Sequence, residues 1–140
     1  MLKHTSVFIL ILLSKIVFAE NIYEAKHKID IWKESTLKNA RTTEDILSIN
    51  DQAYKKWDIR LNDVYNSLLK KIPEKDRRLL RESQRQWLAY RSPEFKFMAI
   101  HIQRSGGSLS KVITSNRQVE FIRNRVVELE AYEFIFDSPP

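Results

Sequence analysis

Residues 42–72 read TTEDILSINDQAYKKWDIRLNDVYNSLLKKI, and this stretch decides the fold. Its apolar side chains recur at helical spacing, as Ile46, Ile49, Ala53, Trp57, Leu61, Val64, Leu68 and Ile72. Thr42 and the acids that follow it are typical of a helix start, because a hydroxyl caps free N–H groups and acids complement the dipole. Pro73 ends the pattern and suits the first turn of a following helix. The stretch predicts one helix of more than six turns, about 40 Å long.

Helical spacing continues on both sides of this segment. Residues 20–37 carry Ile22, Ala25, Ile29 and Trp32 on one face, and a stripe of Leu80, Gln84, Trp87 and Arg91 follows Pro73. Pro93 is expected to kink or restart that helix. The two adjacent glycines of the chain lie in the loop SGGS at 105–108, and a last helix over 112–129 comes after them. We therefore predict an all-α fold, a small bundle of four to five helices with a long antiparallel helix pair plus a C-terminal helix.

The first nineteen residues have the features of a cleaved secretory signal peptide. Lys3 and His4 form a basic start, an apolar run covers residues 7–13, and Val17 and Ala19 provide a cleavage site. Lys15 shortens the apolar run below the roughly 20 residues that span a bilayer. We expect a signal peptide over 1–19, a single helical domain over 20–136 and a frayed tail over 137–140. The mature protein would be periplasmic or secreted and not transmembrane.

Charge is concentrated in one segment of the chain. The exported form would carry 22 basic and 18 acidic residues, a net charge of +4. Arg77, Arg81 and Arg85 recur every fourth residue, so on a helix they form a basic stripe. Such a run is most often a solvated helix face with local ion pairs. The alternative is a docking surface for an acidic protein, anionic lipid headgroups or cell-wall polyanions, whereas nucleic acid is not expected outside the cell.

The residues needed for familiar enzyme chemistry are missing from this sequence. It has no cysteine, no Gly-x-Ser-x-Gly elbow and no phosphate-binding glycine loop. Glu24 and His27 form one Glu-x-x-His pair, but carboxylate-bridged metal bundles need two such pairs and two further carboxylates. A surface helix accounts better for both residues. We predict no catalytic residue, no metal site and no cofactor, and hence that the protein is not an enzyme.

Polar side chains at helical spacing predict a seam between two helices. Asp58, Asn62 and Tyr65 share a face of the 42–72 helix, and Gln84 and Arg91 flank Trp87 on the next helix. A short connection makes these two helices antiparallel. We expect the Asn and Gln amides to bond each other and Arg91 to reach Asp58. Trp87 and Tyr65 are interpreted as core and hydrogen-bond anchors.

Three motifs in this order resemble the lysozyme inhibitor LprI-type N-terminal domain family. They are WDIRLNDVY at 57–65, QRQWLAYR at 84–91 and SGGS at 105–108, with RNRVVEL at 123–129 in the last helix. The resemblance covers a family-like core of about 42–130. It implies exported helical proteins, some of which bind and inhibit lysozymes. Matching motif residues, interpreted as structural, are Asp58, Leu61, Asn62, Tyr65, Gln84, Trp87, Arg91 and Arg125.

The chain departs from that family in its cysteines and its charge. The resemblance implies cysteine pairs, and the aligned motifs put Leu37, Ile49, Phe95 and Arg117 near their positions. Three of these four residues are apolar, so a hydrophobic contact can replace part of the lost cross-link, which is typically worth about 2–5 kcal/mol. A net charge of +4 would also be repelled by the strongly basic animal lysozymes.

These observations support two hypotheses about function. In the first, the protein is a binding module that blocks a lysozyme or another cell-wall-degrading muramidase. Its candidate contacts are the basic stripe of Arg77, Arg81 and Arg85 and the loop of Ser105, Gly106, Gly107 and Ser108. In the second, it is an envelope-associated structural protein that docks on anionic lipid or glycan through the same stripe.

Overall fold

The computed structural model describes residues 26–104 and 106–137, which form four helices. They are α1 (Lys28–Leu37), α2 (Thr43–Lys71), α3 (Glu74–Gln103) and α4 (Gly107–Asp137). No β-strand occurs within the described ranges. The predicted all-α bundle is therefore confirmed. The expected signal peptide, Ser105 and residues 138–140 of the expected tail lie outside the described residues.

Both ends of α2 agree with the sequence. The Thr42 hydroxyl accepts from the Asp45 amide at 3.1 Å, and the Asp45 carboxylate accepts from the Thr42 amide at 2.9 Å. This reciprocal pair is a capping box, which satisfies two N–H groups that a helix start leaves unpaired. At the other end Ile72 leaves the helical conformation, and Pro73 is the N-cap of α3.

The predicted restart at Pro93 is wrong, because α3 runs through Pro93 as one helix of 30 residues. Proline removes the bond to the carbonyl four residues earlier, which belongs to Ala89. Both Pro93 and Ala89 are exposed, so water can hydrate that carbonyl. The missing bond is therefore tolerated on this outer face of α3.

The centre of the bundle is a parallel pair made by α2 and α4, the most extensive helix contact among the described residues. The polar contacts between the two helices show that they are parallel, because the residue numbers of the partners increase in the same direction on both helices. Asn50 donates to Ser115 at 2.8 Å, and Arg60 pairs with Glu130 at 2.6 Å. The parallel arrangement follows because α3, which connects α2 to α4 in the chain, runs in the opposite direction. α1 packs on α2, and α3 packs on α4, so these two helices flank the central pair.

The core of the molecule lies where α2 meets α4. Its fully buried side chains include Trp57, Val64, Leu68, Ile122, Val126 and Leu129. These residues recur at three- and four-residue intervals on each helix, so each helix presents one continuous apolar stripe to the other. The interhelical packing of these stripes is the main source of stability in this cysteine-free chain.

The positions aligned with the family cysteines differ in their surroundings. Ile49 is buried, Leu37 is half-buried, and Arg117 is exposed with Glu120 at 3.6 Å. Phe95 packs edge-on against Phe121, with ring centroids 5.3 Å apart. Aromatic packing thus ties α3 to α4 near one of these positions, through a partner that is not itself aligned with a family cysteine.

The N-terminal cap of α2 should show in the acid stability of the protein. Hydrogen bonds from the Arg41 and Thr42 amides hold the pKa of Asp45 below its usual value. A lowered folded-state pKa stabilises the protein above the unfolded pKa, and this stabilisation is lost as pH falls through the folded value. We expect Asp45→Asn to lower Tm at pH 7 and to flatten the fall of Tm between about pH 5 and about pH 2.

The control for this prediction is Asp63→Asn, which removes the same charge from an exposed position in the body of α2. Thermal melts followed by circular dichroism across that pH range test both variants. An Asp45→Asn profile that runs parallel to the wild-type profile would contradict the assignment.

None of the helices in the described residues is long and apolar enough to span a membrane.

Candidate functional site

The predicted polar seam is only partly present. Arg91 lies 3.6 Å from Asp58, as expected. The Asn62 amide, however, is exposed and bonds to the carbonyl of Asp58 in its own helix at 2.9 Å. Gln84 is buried and accepts from Arg125 of α4 at 3.0 Å. The predicted Asn62–Gln84 pair is therefore wrong, because α3 packs against α4 and turns Gln84 toward that helix.

Arg125 forms the polar link that actually joins α3 to α4. Its guanidinium is 6% exposed and donates to Gln84 and to the Ser83 hydroxyl, both at 3.0 Å. It also pairs with Glu128, one turn along α4, at 2.6 Å. A planar fork with several donors suits this three-way bonding. Arg125 and Gln84 thus form a buried polar contact between the two helices.

The aromatic motif residues occupy different depths. Trp87 is half-buried, stacks on Phe121 with ring centroids 5.2 Å apart, and has the Arg91 guanidinium 5.6 Å from its ring. Tyr65 is also half-buried, and it packs on the core that contains Leu61. Trp87 thus covers the edge of the core, while Trp57 is the fully buried tryptophan.

His27 is a helix cap and not the surface residue that the sequence suggested. Its Nδ1 accepts from the Ile29 amide at 3.1 Å, and its ring lies 4.6 Å from the ring of Trp57. Burial lowers the pKa of His27, although Glu130 opposes that shift. Among the described residues, no group of three or more His, Asp or Glu side chains could hold a metal ion.

The basic stripe is largely neutralised within α3. Arg77 pairs with Glu74 at 2.5 Å, and Arg85 bonds Glu82 through two nitrogens at 3.0 and 2.7 Å. The bonds from Arg85, and then that from Gln86, lower the pKa of Glu82 to about 2. Arg81 is exposed and makes no ion pair within the described part of the chain. The stripe therefore presents one uncompensated guanidinium.

The glycine loop is a tight turn. Gly106 and Gly107 have φ angles of +73° and +80°, a region that side chains with a Cβ rarely adopt. No atom lies within 4 Å of the position of an added Cβ, so the backbone conformation and not crowding requires glycine. Ser108 is exposed in the first turn of α4, and Ser105 lies outside the described residues.

Sequence reasoning missed the most uneven charge distribution of the chain. No acidic residue occurs between Glu94 and Glu120, while Lys96, Arg104 and Lys111 lie in this segment together with Arg117. These four bases equal the whole net charge expected after signal cleavage. A search for acid-free windows would have found this segment, whereas the search for basic runs found α3.

The acid-free segment forms the end of the α3–α4 helical hairpin, which we call the hairpin end and define as residues 96–104 and 106–113. Large apolar side chains are exposed there, with Phe97 and Ile100 each 57% and Leu109 67% accessible. The Phe97 ring contacts the ring of His101 at 4.1 Å. Exposed apolar groups beside unopposed cations are typical of a binding surface.

Comparison with known proteins gives one family. The family model described as "Lysozyme inhibitor LprI" matches residues 34–129, from the second half of α1 into α4. This match contains all four motifs on which the resemblance was based. No curated protein and no solved structure matches the chain.

Proposed function

The chain belongs to the lysozyme inhibitor LprI family, and we propose that it is an exported protein that binds and blocks a muramidase. The observation that carries this proposal is the hairpin end, where exposed apolar side chains accompany bases that no acid of the same segment offsets. It is a convex feature, because two long helices meet there in a tight turn. An inhibitor needs such a projection to enter a substrate cleft.

The positive charge of the hairpin end indicates the kind of target that it would bind. Glycoside hydrolases cleave sugar chains with a pair of carboxyl groups on either side of the scissile bond. A cation that enters the cleft can form a charge-assisted hydrogen bond with such a carboxylate. Arg104 at the end of α3 and Lys111 in the second turn of α4 are exposed and suited to this contact. Phe97, Ile100 and Leu109 would supply the apolar contact area around it.

The same argument selects among muramidases. A protein with a net charge of about +4 is steered toward an acidic enzyme and repelled at long range by a strongly basic one. We therefore propose an acidic muramidase as the preferred partner. Export through the N-terminal signal segment would place the inhibitor in the compartment where such enzymes act.

The hairpin end is a better candidate surface than the basic stripe. Arg77 and Arg85 already have carboxylate partners on α3, so binding an acidic target would require exchange of these pairs. For the same reason, docking of the stripe on an anionic envelope surface is less well supported. Gly106, Gly107 and Ser108 remain candidates because they lie exposed at the hairpin end, where α4 begins.

Reversal of charge at the hairpin end tests the proposal. We expect Arg104→Glu combined with Lys111→Glu to weaken binding to an acidic muramidase at least about 100-fold, because two favourable contacts become repulsive. The matched control is Lys75→Glu combined with Arg81→Glu, which makes the same change in net charge on exposed residues of α3. Isothermal titration and a lysis assay with the purified enzyme measure both pairs.

Three results would count against this proposal. An equal loss in both double variants would assign binding to net charge alone, and a selective loss in the control would return the site to the stripe. Absence of binding to acidic and basic muramidases alike would remove muramidase inhibition for this chain.

A further inference from the structure

The short helix α1 depends on a few contacts with the rest of the bundle. Ile29 belongs to the buried core, and Arg123 Nε of α4 donates to both oxygens of the Asp30 carboxylate, at 3.0 and 2.8 Å. Further along α1, Lys33 donates to Asn116 of α4 at 2.6 Å. A helix of ten residues is marginal by itself in water, so α1 needs these contacts and its cap to stay folded.

The N-terminal cap of α1 is the side chain of His27. Its Nδ1 accepts from the Ile29 amide at 3.1 Å, and its backbone carbonyl accepts from the Ile31 amide, also at 3.1 Å. An imidazole nitrogen accepts only while it carries no proton, so the form that caps α1 is the neutral ring with its hydrogen on Nε2. Protonation would turn an N–H of His27 toward the N–H of Ile29. It would also place a positive charge at a helix N-terminus, where the dipole disfavours it.

The packing of the His27 ring also favours the neutral form. The ring is half-buried and lies 4.6 Å from the ring of Trp57, the largest fully buried side chain among the described residues. This burial lowers the pKa of His27, because a charged imidazolium loses hydration there.

Charged groups of three helices in the described structure surround the ring and act in opposite directions. Glu130 of α4 lies 3.8 Å from His27 Nε2 and raises the pKa of His27, whereas Arg60 of α2 lowers it. The Glu130 carboxylate is already paired with the Arg60 guanidinium at 2.6 Å. On α1 itself, Asp30 raises the pKa of His27 and Lys28 lowers it. Burial therefore decides the direction, and the folded protein favours neutral His27 more than the unfolded chain does.

We propose that α1 is held on the bundle by neutral His27 and is released when this ring takes up a proton. Release would uncover the Trp57 ring, which is 0% exposed in the structure and is covered on one side by His27. It would also remove Ile29 from the core. Acid would thus expose an apolar face of α2 that is buried at neutral pH. In an exported protein, as proposed above, the exposure of this face follows the acidity of the surroundings.

Hydrogen exchange of the protein alone tests the inference. A lowered folded-state pKa means that the cap is fully stabilising above the ordinary value of about 6.5 and is lost as pH falls through the folded value. We expect the protection factors of the Ile29 and Ile31 amides to fall at least about threefold between about pH 7.5 and about pH 5, since one proton allows at most a tenfold change per pH unit. The Leu61 amide of α2 should stay better protected throughout, because α2 remains folded when α1 opens.

His27→Asn is the decisive variant, because an amide oxygen can also cap a helix and does not titrate in this range. It should keep α1 protected near neutral pH and remove the fall in acid. The matched control is His101→Asn, which replaces an exposed histidine of α3 and should leave the fall unchanged. If His27→Asn does not fold, the imidazole titration of the wild-type protein by NMR decides. The fall in α1 protection should then level off below the pH at which the His27 ring titrates.

Three results would overturn the inference. Equal protection of the Ile31 and Leu61 amides would mean that α1 opens only together with the whole bundle. Retention of the acid response in His27→Asn, or its loss in His101→Asn, would assign the response to other groups. A fall that continues below the titration of His27 would do the same. None of these results bears on muramidase binding, because Arg104 and Lys111 lie at the hairpin end and not on α1.

Discussion

Trp57→Ala is expected to lower the free energy of unfolding by about 3–5 kcal/mol, the cost of emptying a fully buried tryptophan site. Trp57 is 0% exposed and sits where α1, α2 and α4 meet. The His27 ring lies against one side of it, and the Arg123 guanidinium lies 5.8 Å from its ring. Alanine would leave a cavity that rigid helices cannot close. Urea denaturation followed by circular dichroism measures the loss.

Trp87→Ala is the matched comparison for this prediction. Trp87 belongs to the QRQWLAYR motif but is only half-buried, so its removal should cost about 1–2 kcal/mol, chiefly through the lost stacking on Phe121. Trp57→Phe should also cost less than Trp57→Ala, because the phenyl ring fills much of the site. The indole Nε1 has no hydrogen-bond partner among the described residues, so that replacement breaks no such bond. Equal losses in the two alanine variants would contradict the assigned burial.

The bounds of α2 were predictable because local chemistry sets them. Thr42 and Asp45 form a cap from residues three apart, and Pro73 lacks the N–H that would continue the helix. The apolar stripe also identified most of the core positions on α2. The cap, the proline and the apolar stripe all depend on residues that are close together in the chain, so the sequence alone reveals them.

The pairing of the helices was not predictable on the same basis. An apolar stripe shows which face of a helix is buried but not which helix covers it. Connection length suggested that α2 and α3 pack directly, and this placed Gln84 opposite Asn62. In the structure α4 packs on both helices, so Gln84 bonds Arg125 instead. A single sequence does not show which neighbouring helix a given apolar stripe packs against.

The candidate site was anticipated only in part, for a related reason. The glycine loop within it was named from the sequence, but the bases and the exposed apolar side chains beside that loop were not. A stripe of bases is visible in the sequence. The ion pairs that neutralise Arg77 and Arg85 involve carboxylates of the same helix, and only the structure shows that these pairs form.

Arg125 offers the second large effect. Arg125→Ala should cost about 3–5 kcal/mol, because it breaks a buried polar network by removing one partner. Gln84 is 7% exposed and would lose its donor, so its carbonyl oxygen would be left unsatisfied. The Glu128 carboxylate, by contrast, is partly exposed and can return to water. Loss of the Gln84 bond therefore accounts for much of the expected destabilisation.

A double replacement separates the cost of leaving Gln84 without its donor from the other costs of removing Arg125. Arg125→Leu alone strands Gln84, whereas Arg125→Leu with Gln84→Leu replaces both partners by apolar side chains of similar size. Because a fully apolar pair avoids the desolvation penalty, the double variant should be more stable than Arg125→Leu by about 1–3 kcal/mol. Equilibrium unfolding in urea gives the four free energies of the cycle. If the double variant were as unstable as the sum of the single variants, the link between α3 and α4 would not act through the Gln84 bond.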